Sequence, residues 1–225
     1  MFGMDPIELL FTLAYGAIPV IFAITMHEVA HGWAAMQLGD PTAQRLGRLS
    51  ANPIRHVDPI GTVIVPVGLA LLTSGAFMFG WAKPVPVVFR NLRNPRRDMI
   101  LVAAAGPGAN LVMATFWALF AMLVFGVGME DSFLGGMLIL AAEVGIKFNV
   151  LLMVFNLIPI PPLDGGRVLA GLLPPSGAEF LARVEPFGFI IVLLLMVGPV
   201  PVLANLMEPF LRFFIDFFYS AAGFL

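Results

Sequence analysis

The chain has no cysteine, only three histidines, and few charges: 12 Lys or Arg and 14 Asp or Glu in 225 residues. Without cysteine there are no disulfides and no thiolate metal sites. A net charge of −2 supplies no basic field for nucleic acid, so no nucleic-acid partner is expected. Charged residues make up 12% of the chain against 60% hydrophobic ones, and the mean hydropathy is +0.96. A soluble domain of this size cannot hide that much apolar surface, which points to an integral membrane protein. The apolar runs are long and do not alternate, so spanning helices are expected rather than a barrel. The N-terminal MFGMDPIELLF has no Lys or Arg ahead of its apolar run, which makes a poor signal peptide, and the first helix is expected to be retained.

The apolar residues fall into runs. The first extends from about Ile7 to Leu38 and is ended by Gly39-Asp40-Pro41. It exceeds the roughly 20 residues needed to cross a bilayer, so this helix is expected to tilt or to project beyond the lipid. Pro59 to Ser74 is apolar but short and carries Gly61, Pro66 and Gly68. Further runs lie near Met99–Val127, Phe133–Ile158 and Phe187–Leu206. The tail EPFLRFFIDFFYSAAGFL suits an interfacial amphipathic helix or a last short span. No internal repeat and no soluble domain are visible.

Positive charge orients the set. Arg45, Arg48 and Arg55 precede Pro59–Ser74, and Lys83, Arg90, Arg93, Arg96 and Arg97 follow it. The positive-inside rule places both flanks in the cytoplasm, so this segment is expected to dip into the membrane and return. Glu130 and Asp131 then fall outside, Arg167 and Arg183 inside, and the N-terminus outside. Glu143 and Lys147, four apart within a span, are expected to pair with each other.

Two of the three histidines sit in the first run, in ITMHEVAHGW. In a helix His27 and His31 project from one face, spaced to share a metal ion. Glu28 stands about 100° round the axis, where it can take a proton from water beside the metal. Imidazole donors suit Zn²⁺. HExxH arises by chance in roughly one such chain in a thousand. The alternative, two core histidines bonded to neighbouring helices, leaves an ionisable triplet in lipid without a role. A hydrolytic zinc site needs a third protein ligand, and no His or Glu follows His31 at a close spacing. Asp164 is the best candidate. It lies in FNLIPIPPLDGGRVL, where Pro159, Pro161 and Pro162 force irregular backbone that membrane depth tolerates only beside protein or a wet cavity. Its other reading is the N-cap of a helix starting near Gly165. His27, roughly 30 Å along its helix, and Asp164, just past its span, meet on the same side of the membrane.

These motifs resemble the site-2 proteases, intramembrane zinc metalloproteases. The resemblance is carried by HEVAH in an apolar helix, AGPGAN at Ala105–Asn110, and NLIPIPPLDGG at Asn156–Gly166. It runs from the first helix to about Leu172. It implies one Zn²⁺ per chain held by His27, His31 and Asp164, Glu28 as general base, and Asn156 beside the scissile carbonyl. It also implies a re-entrant β-hairpin that receives the substrate at Gly80, Trp81, Ala82, Lys83, Pro84, Val85, Pro86 and Val87. The residues agree in part: GWAKPVPVVF alternates small and β-branched residues with two prolines, as an edge strand does, and an unwound substrate can pair with such an edge. A plain cytoplasmic loop is the other reading. Gly106 and Gly108 give a small-residue face that serves close helix approach and ordinary packing alike. Asn110 is equally suited to bonding a catalytic element or a neighbouring helix. His56 fits a satisfied loop histidine better than a ligand, and no role for His56 or Asp58 follows from the sequence.

The expected fold is therefore an all-α polytopic membrane protein, a helical bundle with a small re-entrant β-hairpin. Residues 1–225 are expected to form one membrane-embedded metalloprotease domain, with its core over 7–172 and C-terminal helices over 187–225, resembling a minimal member without PDZ or CBS domains. The expected partners are the lipid bilayer and a membrane-protein substrate with a transmembrane segment. The expected location is the inner membrane of a prokaryotic cell, with the site near the cytoplasmic side. Two other readings use the same residues. A zinc transporter requires polar residues across the full bilayer, and a catalytically silent membrane scaffold has no use for an intact HExxH with Asp164.

Overall fold

A computed structural model describes residues 6–72, 80, 82–197 and 202–224. Helix α1 spans Pro6–Gln37 and ends where Gly39 turns the chain at φ +114°. A single turn, α2 (Thr42–Arg45), follows. Asp58 then caps a π-helical segment, Pro59–Ile64, that runs directly into α3 (Val65–Leu72). Gly61, Pro66 and Gly68 therefore do not break this stretch, because a helix can start at Pro59 with Asp58 accepting from the Ile60 and Gly61 amides. Together the two pieces are roughly 21 Å long, less than the ~30 Å hydrocarbon thickness. The expected return of the chain at Thr73 and Ser74 lies outside the described residues.

Helix α4 (Pro95–Gly126) starts with Pro95 in its first turn and with Asp98 accepting the Asn94 amide at 2.8 Å. Helix α5 (Phe133–Asn156) is capped by Ser132, which accepts the Gly135 amide at 3.0 Å. The short α6 (Asp164–Leu172) leads to α7 (Pro175–Val197) and α8 (Val202–Ala222). The apolar run expected at Phe187–Leu206 covers the end of α7 and the start of α8, and residues 198–201 within it lie outside the described residues. Of the described helices, α4 and α5 are long and apolar enough to cross a membrane.

Helix α4 is the centre of the packing and touches α1, α5, α6 and α8. Ala114, Ala118 and Ala121 of α4 are buried, so α5 approaches closely through Ala142, Ile146 and Val150. Helix α8 closes this core with Leu203, Met207 and Phe218, which repeat on one face. The amphipathic tail is therefore a 21-residue helix docked on α4 and α5.

The β-hairpin expectation is corrected: among the described residues there is no strand. Residues 82–88 carry no regular secondary structure, and Val88 at their end is in the extended region. Pro84 and Pro86 have no amide to offer a ladder. Three of the remaining donors go elsewhere: Lys83 to the His56 carbonyl at 2.9 Å, Val85 to Glu28 at 2.7 Å and Val88 to Asp40 at 2.6 Å. Trp81 lies outside the described residues.

Candidate metal centre

On α1, His27 and His31 stand one turn apart and bring their Nε2 atoms within 3.0 Å of each other. Helix α4 passes directly over them at Gly106, where a Cβ would lie 2.4 Å from His31 Nε2 and 2.6 Å from His27 Cε1. Only glycine allows that approach, which settles the role of this position; Gly108 meets nothing within 4 Å. Each imidazole is fixed through its other nitrogen. His31 Nδ1 donates to the Val102 carbonyl at 2.7 Å, and His27 Nδ1 donates to Asn110 Oδ1 at 2.6 Å. The direction of the second bond follows from the amide chain beyond it. Asn110 Nδ2 donates to Asn149 Oδ1 at 3.0 Å, and Asn149 Nδ2 donates to the Gly145 carbonyl at 2.8 Å. Both Nε2 atoms are then lone-pair donors facing one spot.

Asp164 completes the set from α6. Gly165 and Gly166 let the start of α6 lie against the preceding turn: a Cβ on Gly165 would be 2.2 Å from the Leu157 carbonyl oxygen, and one on Gly166 would be 2.4 Å from the Pro161 nitrogen. This fold of the chain swings Asp164 over α1. Its Oδ2 lies 3.2 Å from both His27 Nε2 and His31 Nε2. The helix cap is Leu163, with no side-chain capping bond, so the N-cap reading of Asp164 does not hold. All three side chains are buried, and Asp164 Oδ2 has no hydrogen-bond partner.

Three buried acceptors within 3.2 Å of one another repel unless a cation sits among them. Tetrahedral zinc, with ligands ~2.0–2.1 Å away, holds neighbouring ligand atoms ~3.3 Å apart, close to the separations here. The residues fit that ion, and His27, His31 and Asp164 are the one His/Asp/Glu grouping among the described residues able to hold a metal.

A cavity of about 160 Å³ opens beside this set. Glu28, Asn156 and Arg167 line it. Asn156, at the end of α5, donates one Nδ2 proton to the Leu152 carbonyl at 3.0 Å, which leaves the second available. Of the eight residues expected to receive substrate, Pro84, Val85 and Val87 line the cavity; Gly80, Ala82, Lys83 and Pro86 do not. His56 is no ligand: its Nε2 donates to the Ser50 carbonyl at 2.8 Å. Glu143 and Lys147 pair at 2.5 Å, and Tyr219 of α8 donates to Glu143 at 3.0 Å.

Sequence reasoning missed Asn149, the Val102 carbonyl and Arg167. Asn149 could have been found as an unpartnered amide in an apolar run. Arg167 could have been found from its place one turn after Asp164. A main-chain carbonyl leaves no residue signature.

The chain is 41% identical over 189 residues to the Bacillus subtilis (strain 168) protein named "Putative zinc metalloprotease YwhC", covering 83% of this chain and 82% of that one. It is 30% identical over 187 residues to "Putative zinc metalloprotease Rip2" of Mycolicibacterium smegmatis, covering 80% and 65% respectively. The Rip2 of Mycobacterium tuberculosis (strain H37Rv) is 28% identical over 179 residues. No protein-family model matches the chain, and no solved structure does. The chain belongs to the family of these relatives, the site-2 protease family of zinc metalloproteases.

Proposed function

We propose that this protein is an intramembrane zinc endopeptidase that hydrolyses peptide bonds within or near transmembrane segments of membrane proteins. The observation that carries the reading is the convergence of His27 Nε2, His31 Nε2 and the unpartnered Asp164 Oδ2 beside Glu28 in one cavity. Zinc held by these three residues supplies Lewis-acid activation of water and of the scissile carbonyl. Glu28 accepts the proton of the attacking water and returns it to the leaving amine nitrogen. The free amide proton of Asn156 is available to the carbonyl oxygen as negative charge develops on it. Pro84, Val85 and Val87 bind the unwound substrate alongside.

Embedding in lipid is supported by apolar stripes on the outer faces. Val112, Phe116, Leu119 and Leu123 of α4 are all more than half exposed and follow helical spacing. On α8, Phe210, Phe213 and Phe217 do the same. The basic residues argue for a site near the cytoplasmic face of a prokaryotic inner membrane. Arg48, bonded to the Lys83 carbonyl at 2.8 Å, and Arg167 both lie at this end.

The test is Glu28→Gln, compared with wild type for zinc content and for fragments released from membranes. Cleavage is expected to fall by at least about a hundredfold with zinc retained. Undiminished processing by Glu28→Gln would remove the mechanism.

A further inference from the structure

The Glu28 carboxylate is not free-standing. Its Oε2 accepts the main-chain N–H of Val85 at 2.7 Å, from a segment 57 positions later in the chain. Pro84 and Pro86 on either side have no N–H, so Val85 carries the one main-chain donor of three consecutive residues. That donor points at Glu28. The segment is anchored before and after this point, by Lys83 N–H on the His56 carbonyl at 2.9 Å and by Val88 N–H on Asp40 Oδ2 at 2.6 Å. Val85 also packs where it bonds. Its side chain is buried against α1 at Gly32, where a Cβ would come 2.7 Å from Val85 Cγ1. Gly32 is one turn beyond Glu28, so hydrogen bond and packing contact share one stripe of α1.

We propose that Val85 is a positioning residue for Glu28, and that it couples the general base to the segment on which substrate lies. This rests on the protease reading above. The terminal torsion of a glutamate is broad, so an unrestrained carboxylate samples many orientations. Holding Oε2 on a backbone amide leaves Oε1 as the atom that handles the proton, in one orientation. The same peptide unit belongs to the cavity wall, so substrate seated along Pro84–Val87 presses on the element that aims the base. A poorly seated substrate is then penalised in turnover as well as in binding.

The test has two arms on the full chain in detergent. The first needs no substrate. Hydrogen exchange over 84–86 reports a single amide, that of Val85, and is expected to speed up by about tenfold or more in Glu28→Ala as its acceptor is lost. Equal rates in wild type and Glu28→Ala would overturn the contact. The second arm uses a quenched-fluorescent peptide carrying an apolar segment of about 20 residues. Val85→Pro deletes the donor and is expected to lower kcat by about ten- to a hundredfold, with KM within about twofold and zinc still bound. Val85→Ala keeps the N–H and is expected to change KM more than kcat. An unchanged kcat in Val85→Pro, or equal kcat losses in both variants, overturns the proposal. If Val85→Pro does not fold, the exchange arm decides alone. A wild-type chain that binds zinc but cleaves no peptide would count against the protease reading, and the exchange arm would still report on the Val85 contact.

Discussion

Two of the buried aspartates, Asp40 and Asp164, have opposite surroundings. Asp40, fully buried, accepts from the Thr42 amide at 3.1 Å, the Thr42 hydroxyl, Asn91 Nδ2 at 2.9 Å and the Val88 amide at 2.6 Å. Asp164, almost as deeply buried, has a carboxylate oxygen with no donor at all, facing two imidazole nitrogens. A carboxylate surrounded by donors fixes local structure, here the turn after α1 and the chain leading into α4. A carboxylate aimed at other acceptors makes sense only around a cation. Burial is common to both; what separates architecture from chemistry is the count of protons facing the oxygens.

The largest effect that would break this contrast is at Asp164. Asp164→Ala is expected to weaken zinc binding by more than about a hundredfold, beyond the loss typical of an outer-shell change, and to abolish cleavage. One zinc per chain with proteolysis intact in that variant would erase the distinction. Next come the residues that hold the imidazoles. Gly106→Ala puts a methyl group on His31 Nε2, and Asn110→Leu removes the acceptor that fixes the His27 tautomer. Each is expected to lower zinc affinity by about 10- to 100-fold, measured by competition with a chelating dye.

At Asp40 the effect is on stability. Asp40→Ala leaves several donors without their acceptor and is expected to cost about 3 kcal/mol, read from thermal unfolding. Burial pushes the Asp40 carboxyl up, but the bonds from Thr42, Asn91 and Val88 outweigh it and hold it below the usual carboxylate value. Its contribution is therefore complete above about pH 4 and is lost as pH falls through the lowered value. Asp40→Asn is expected to flatten that acid limb. The smallest effect is at the Glu143–Lys147–Tyr219 cluster, where every charge has a partner. Tyr219→Phe is expected to cost about 1 kcal/mol or less and to leave zinc binding unaltered.

The clustering of His27, His31 and Asp164 was legible in the sequence because its two parts are local patterns. His27 and His31 need only helical spacing, and Asp164 is marked by three prolines before it and two glycines after it. The helical class followed from hydropathy. The stretch from Gly80 to Phe89 reads as a hairpin because alternation with prolines looks the same whether a chain pairs with a strand or hangs on side chains. Glu28 and Asp40, the side chains it hangs on, lie more than 40 residues earlier, and no window of sequence joins them.

All three side chains of the candidate metal centre are referenced to α4. The imidazoles lean on Val102 and Asn110, while Arg96, at the start of α4, donates to the Gly171 carbonyl at 3.0 Å and to that of Leu173, fastening the far end of α6. A gate that worked by parting α1 from α4 would strip the imidazoles of their supports and split the donor trio at every opening. On the proposed protease reading, a substrate would then reach the three side chains along the flank lined by Pro84, Val85 and Val87, with the centre left assembled.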